Sequence, residues 1–174
     1  HLDDERPRYV LRNKKAGVVV EGGAGEDVYE PVGRYSGLAL VTDARVLFAV
    51  GGRDGDRTLS VSLADVVDVR IDDAGRADAL VLETVDDTDY RFPCTGELAP
   101  VQEYLDAAVG VWTRAQSRID RAEAQLDRLQ EAFESGDADV VLAAIGDVRE
   151  TLADAREEAD PLPGARDRVG ERAD

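Results

Sequence analysis

The stretch "YSGLALVTDARVLFAV", residues 35–50, decides how the chain is read. Two runs rich in Leu, Val and Ala flank a short polar step, Thr42-Asp43-Ala44-Arg45. That pattern predicts strands over Gly37–Thr42 and Arg45–Val50 joined by a tight turn. In such a turn Asp43 can cap the backbone, and Arg45 can pair with a carboxylate on a neighbouring strand.

Working outward, further strands are expected near Arg8–Arg12, Gly17–Glu21, Arg57–Val61, Val66–Ile71, Leu80–Val85 and Tyr90–Phe92. The clusters between them, such as Gly51-Gly52-Arg53-Asp54-Gly55-Asp56 and Asp86-Asp87-Thr88-Asp89, are rich in the residues that punctuate hairpins. Short strands at roughly ten-residue spacing favour an antiparallel barrel or sandwich over a parallel sheet.

After Pro93 the period changes. Leu98, Val101, Leu105, Ala108, Trp112, Ala115, Ile119, Ala122, Leu126, Leu129 and Phe133 recur at intervals of three and four, a heptad seam. Ser135-Gly136-Asp137 supplies a helix stop and a new cap. A second seam follows through Val141, Ile145, Val148, Leu152, Ala155 and Ala159, and Asp160-Pro161-Leu162-Pro163-Gly164 ends it. A first helix of about 37 residues would be ~55 Å long, and the second, of about 22, can cover only its distal part. The proximal seam then needs the β-domain to bury it. Three regions are expected: a β-domain over 1–97, a capping helix and hairpin over 98–160, and a charged, disordered tail over 161–174.

Strands followed by a helix that caps an open end resemble the pleckstrin-homology (PH) layout. Gly37, Leu38, Leu40, Thr42, Asp43, Arg45, Val46, Leu47 and Phe48 resemble the "G-x-L-x-L-T-[ND]-x-R-[VL]-[LF]" hairpin of bacterial and archaeal PH-like and GRAM-like domains. "TLSVSLADVVDVRI" and "LVLETVDDTDYRF" resemble later strand pairs of the same family. The resemblance covers roughly residues 2–112 and implies an α+β fold. That fold is a PH-like antiparallel barrel or sandwich of seven to eight strands, capped by a long helix that continues into an antiparallel helical hairpin.

Composition narrows the function. The chain of 174 residues holds 38 acidic and 21 basic residues, a formal net charge of -17, and its basic residues are 19 Arg and 2 Lys. Such acidity self-repels at low salt and matches the proteome signature of salt-loving archaea, so it reports solvent adaptation rather than substrate. It also disfavours nucleic acid as a partner. The chain opens on His1 and contains no methionine, as a trimmed or partial chain would. One cysteine, Cys94, excludes an internal disulfide, and no apolar run approaches the ~20 residues of a membrane span. A cytoplasmic protein is expected, or one peripheral at the inner membrane face.

Catalytic chemistry finds no support. The single histidine is terminal, Cys94 has no histidine partner, and Gly22-Gly23-Ala24-Gly25 lacks the lysine and helix of a phosphate loop. No cofactor and no metal site is expected, since Asp54-Gly55-Asp56 lacks the spacing of a calcium loop.

Two candidate sites remain. From Arg6 to Val20 there are five basic residues and no acidic one. Arg8, Arg12, Lys14 and Lys15 lie near the position where the resemblance implies a phosphorylated head-group site, between the first two strands. The alternative reading makes "NKKAG" an ordinary hairpin turn. The second candidate is the helical seam over Ala115, Ile119, Ala122, Leu126, Leu129, Phe133, Val141, Ile145, Val148 and Leu152. One apolar stripe per helix gives a thin interface, which pairing with a second hairpin or another protein would thicken. The expected function is therefore a non-catalytic scaffold that self-associates or binds a protein through the hairpin. The alternative is a peripheral adaptor that binds anionic lipid through the basic first hairpin.

Overall fold

The structure is a computed structural model. It describes residues 5–173 other than 14, 23, 24, 34, 35, 54, 74–76, 136 and 137. The side chains of 132, 135, 138, 167, 168 and 171–173 also fall outside the description. Nine strands and three helices are described: β1 (Pro7–Asn13), β2 (Val18–Gly22), β3 (Gly25–Tyr29), β4 (Gly37–Thr42), β5 (Arg45–Gly52), β6 (Gly55–Ser62), β7 (Val66–Asp72), β8 (Ala79–Thr84), β9 (Asp89–Thr95), α1 (Ala99–Ser135), α2 (Ala138–Ala159) and α3 (Pro163–Ala173). Two compact units divide the chain, His1–Val109 and Gly110–Asp174, so the division falls inside α1 rather than ahead of it.

In the first unit all pairings are antiparallel, and the strands form a nearly closed barrel. One side is β1-β4-β5-β6 and the other is β3-β2-β9-β8-β7, joined where the end of β9 also pairs with β1. This is the α+β layout, an antiparallel barrel followed by a long helix, that the opening stretch implied. β3 is an additional strand; its sequence GEDVY has no apolar alternation, and pairing with β2 alone holds it.

Period-two alternation builds the core. Leu11, Ala39, Val41, Val46, Phe48, Val50 and Val61 face inward from one side, and Leu80, Leu82, Phe92 and Cys94 from the other. Phe48 packs on Phe92 with ring centroids 5.6 Å apart and stacks near-parallel on Tyr90 at 6.4 Å. The N-terminal part of α1 completes this core. Leu98, Val101, Leu105 and Ala108 are buried, Gln102 donates to the Val69 carbonyl at 3.0 Å, and the Tyr104 hydroxyl reaches the Thr42 carbonyl at 3.5 Å.

The opening turn is knitted by two side chains. Thr42 Oγ1 accepts the turn amides of Ala44 and Arg45, at 3.2 and 2.9 Å. Asp43 accepts the Arg6 amide at 3.0 Å. Arg45 does find a carboxylate, that of Glu5 just ahead of β1, held by Nε at 3.0 Å and a second nitrogen at 2.7 Å. A bidentate grip of this kind is the strong form of an ion pair.

The second unit is helical. Arg114 of α1 pairs with Glu158 of α2, and Arg118 with Asp154 at 2.5 Å. Four residues forward on α1 match four backward on α2, so the helices are antiparallel about the turn near 136. Within the stretch expected as a charged tail, Pro163–Ala173 form α3, which packs on α2 with Leu162, Ala165 and Val169 buried. Three apolar residues at intervals of three and four make a stripe that a charge count conceals, and Pro163 is tolerated because the first helical turn needs no amide donor.

Candidate interaction surfaces

The basic stretch does not form the first hairpin. β1 and β2 do not pair with each other; both pair antiparallel with β9 and so run in the same direction. Asn13 lies opposite Cys94 and Val19 opposite Arg91, so six steps along the β1–β2 strand match three along β9. "NKKAG" is thus a three-residue excess inside one interrupted strand, a large bulge rather than a reversal. The first reversal comes later, between β2 and β3.

Two side-chain identities hold the bulge. Asn13, fully buried, donates through Nδ2 to the Ala16 carbonyl at 3.0 Å and accepts the Gly37 amide on Oδ1 at 2.8 Å. Gly17 passes so close to β3 that a Cβ there would lie 1.7 Å from the Tyr29 carbonyl oxygen. Only glycine fits.

The four basic candidates part company at this bulge. Arg8 sits at a register shift between Pro7 and Tyr9, with its guanidinium 5.8 Å from the centre of the Tyr104 ring. Burial pushes the Tyr104 phenol up, and Arg8 works against that shift. Arg12 is exposed on the outer face of β1, opposite Leu38, and Lys15 is exposed within the bulge. Lys14 lies outside the described residues.

Around Arg12 the outer face of the sheet is apolar. Val10 lies opposite Leu40, Arg12 opposite Leu38, Leu40 opposite Leu47 and Leu38 opposite Ala49, so these side chains share one face. Val10 is 61% and Leu38 40% exposed, while Leu40, Leu47 and Ala49 are half-buried. An antiparallel sheet with one solvated face ordinarily puts polar residues outward. Nor do β1, β4 and β5 hold any acidic residue, whereas each of the other six described strands holds at least one. Strand structure does not exclude acids here. Across β7, β8, β9 and β2 four carboxylates stand directly opposite one another in a row, Asp68, Glu83, Asp89 and Glu21. Arg70 answers the first three at 3.5, 3.1 and 2.5 Å. The two outer faces of the barrel have opposite chemistry.

The helical seam divides along its length. Ala115, Ile119 and Ala122 on α1 are buried, as are Val141 and Val148 on α2; Leu129, Ile145 and Leu152 are half-buried. Towards the turn the α1 side opens, with Leu126 49% and Phe133 61% exposed, whereas Val141 on the α2 seam stays buried and its off-seam neighbours Val140 and Leu142 are 50% and 67% exposed. α3, at 11 residues, spans only ~16 Å and can flank no more than the C-terminal half of α2. Leu126, Phe133 and Leu142 therefore stay open to solvent.

A third feature had no signal in the sequence. Between β3 and the β5–β6 hairpin lies a groove of about 490 Å³, lined by Val28, Tyr29, Val32, Arg53 and Arg57 among others. Its members are far apart in sequence, and only barrel closure brings them together; Arg57 sits 5.8 Å from the centre of the Tyr29 ring. Among the described residues no three His, Cys, Asp or Glu are placed to hold a metal. Nor, among those residues, is any helix long and apolar enough to cross a membrane. Burial pushes the Cys94 thiol up, away from the reactive thiolate.

No protein-family model matches this chain, and no curated protein matches it either. Solved structures do resemble it. The N-terminal PH domain of Vps36 is 14% identical with a TM-score of 0.44, over 62% of this chain and 81% of that one. The PH domain of USP37 is 14% identical with a TM-score of 0.42, over 59% of this chain and 98% of that one. The C-terminal domain of an unknown protein from Leishmania infantum is 15% identical with a TM-score of 0.36, over 64% and 87%. Likenesses of this size carry no functional inference.

Proposed function

We propose that the protein is a non-catalytic scaffold in which the helical hairpin mediates self-association or the binding of a protein partner. The observation that carries this is the α1 side of the seam: Ala115, Ile119 and Ala122 are buried, Leu126 and Phe133 towards the turn are not, and Val140 and Leu142 on α2 are exposed as well. Several large apolar side chains left in solvent on one element mark it as a candidate interaction surface. α3 narrows the proposal, because it supports the hairpin base and leaves only the turn end in need of a partner. A salt-adapted cytoplasm is the setting that the acidic composition fits.

Sedimentation equilibrium in molar KCl tests the reading. The wild type should associate, and a Phe133→Ser/Leu142→Ser variant with an unchanged helical spectrum should not. Equal association by both rejects it.

A second reading has one observation of its own. Arg12 and Lys15 flank exposed Val10 and Leu38, a basic and apolar surface suited to an anionic membrane. Flotation with phosphatidylglycerol vesicles, comparing wild type with Arg12→Glu/Lys15→Glu, decides it; equal recovery of both proteins in the floated fraction rejects it.

A further inference from the structure

Two exposed surfaces of this chain complement each other. The outer face of β1, β4 and β5 presents Val10, Leu38, Leu40, Leu47 and Ala49, with Arg12 and Lys15 at its margin and no carboxylate on any of the three strands. In a chain with 38 acidic residues out of 174, three neighbouring strands that hold 21 residues and no acid need a reason. The facing strands carry four carboxylates in a single row, so the reason is not strand structure. An apolar outer face whose strands carry no acid, and whose neighbouring carboxylate, Glu5, is neutralised by Arg45, is what a covered surface looks like.

The turn end of the hairpin is the opposite. Residues 129–148 contain five acidic residues and no basic one. Leu126 and Phe133 lie seven apart on one stripe of α1, beside exposed Glu131 and Glu134, with Val140 and Leu142 on α2. Two such ends meeting each other would set like charges side by side at the contact. An acidic end on a basic-margined apolar sheet would not.

We infer that the acidic, apolar turn end of one protomer's hairpin docks on the β1-β4-β5 outer face of a second copy. This rests on the hairpin-association reading and deepens it by naming the receiving surface and the occupant. The apolar residues supply the affinity, and Glu131 and Glu134 set against Arg12 and Lys15 supply orientation, so the contact survives high salt better than charge pairing alone would. Donor and acceptor surfaces differ, so the contact is heterologous. Each copy keeps one free end of each kind, and association continues into a ring or an open chain rather than stopping at a dimer.

The test uses the full chain, two variants and sedimentation velocity in molar KCl. The face variant is Val10→Glu/Leu38→Glu, and the tip variant is Phe133→Lys/Leu142→Lys. All four positions are solvent-exposed, and an unchanged circular dichroism spectrum and melting temperature establish that each variant folds. The wild type should form species larger than a dimer. Each variant alone should lose about tenfold or more in association, the effect of removing a central anchor. An equimolar mixture should recover association but stop at a dimer, since one intact tip meets one intact face. If the face variant associates like the wild type while the tip variant does not, the sheet is not the receptor and the inference falls, with the hairpin reading intact. If the tip variant associates like the wild type, the hairpin reading itself falls. If the wild type is monomeric and the face variant alone loses binding to phosphatidylglycerol vesicles, the sheet serves a membrane and the inference is overturned.

Discussion

Asn13 was legible only as a turn residue, and the structure gives it a different job. Its buried amide spans the bulge and the start of β4, satisfying the Ala16 carbonyl and the Gly37 amide together. Asn13→Ala would leave the Gly37 amide buried without that acceptor, at a cost of about 1–3 kcal/mol, read as a lower midpoint in urea unfolding. Asp86 supplies a prediction in pH. The Thr84 hydroxyl, 2.5 Å away, holds its carboxyl below the ordinary aspartate value, with burial acting the other way. A depressed folded pKa means that the stabilisation is present above the unfolded value and lost as pH falls through the folded one. In Thr84→Val the Asp86 titration should move up towards the ordinary value. The variant's stability deficit should be largest near neutral pH and shrink in acid. NMR titration of the side-chain carboxyl together with unfolding at the two pH extremes checks both. Nothing in the sequence marked this pair, because Thr84 and Asp86 read as strand end and loop.

At the scale of elements, period was a better guide than composition. The strands around Thr42–Arg45 and the heptad seam of α1 stood out because alternation and three-four spacing survive any choice of polar residue. β3 and α3 did not stand out: the first lacks alternation, and the second hides Leu162, Ala165 and Val169 among charges. Val169 is 1% exposed. Val169→Ala should therefore cost about 1–2 kcal/mol through lost burial and the cavity left behind. A chain ending after Leu162 should lose helical signal and melt earlier. If thermal unfolding followed by circular dichroism finds both indistinguishable from the wild type, α3 does not support the hairpin. The reading of "NKKAG" as a hairpin failed for a definite reason. A reversal and a bulge use the same residues, and only the partner strand tells them apart.

For the molecule as a whole, charge sets the conditions under which it is stable. A formal charge of -17 on 174 residues repels itself, and molar salt shortens the screening length from ~10 Å to ~3 Å. The melting temperature should rise steadily as KCl goes from low to molar concentration, most steeply at the low end. A melting temperature that stays flat or falls in calorimetry would remove salt adaptation from the account. Periodicity and composition are local and survive in one dimension, so the fold class, the strand-to-helix order and the acidic habit were legible in the chain alone. That the basic stretch interrupts a strand, that Pro163–Ala173 is a helix, and that three strands without acids lie side by side became visible only in the folded molecule. Those facts depend on which strand pairs with which, and pairing joins residues that the chain keeps far apart.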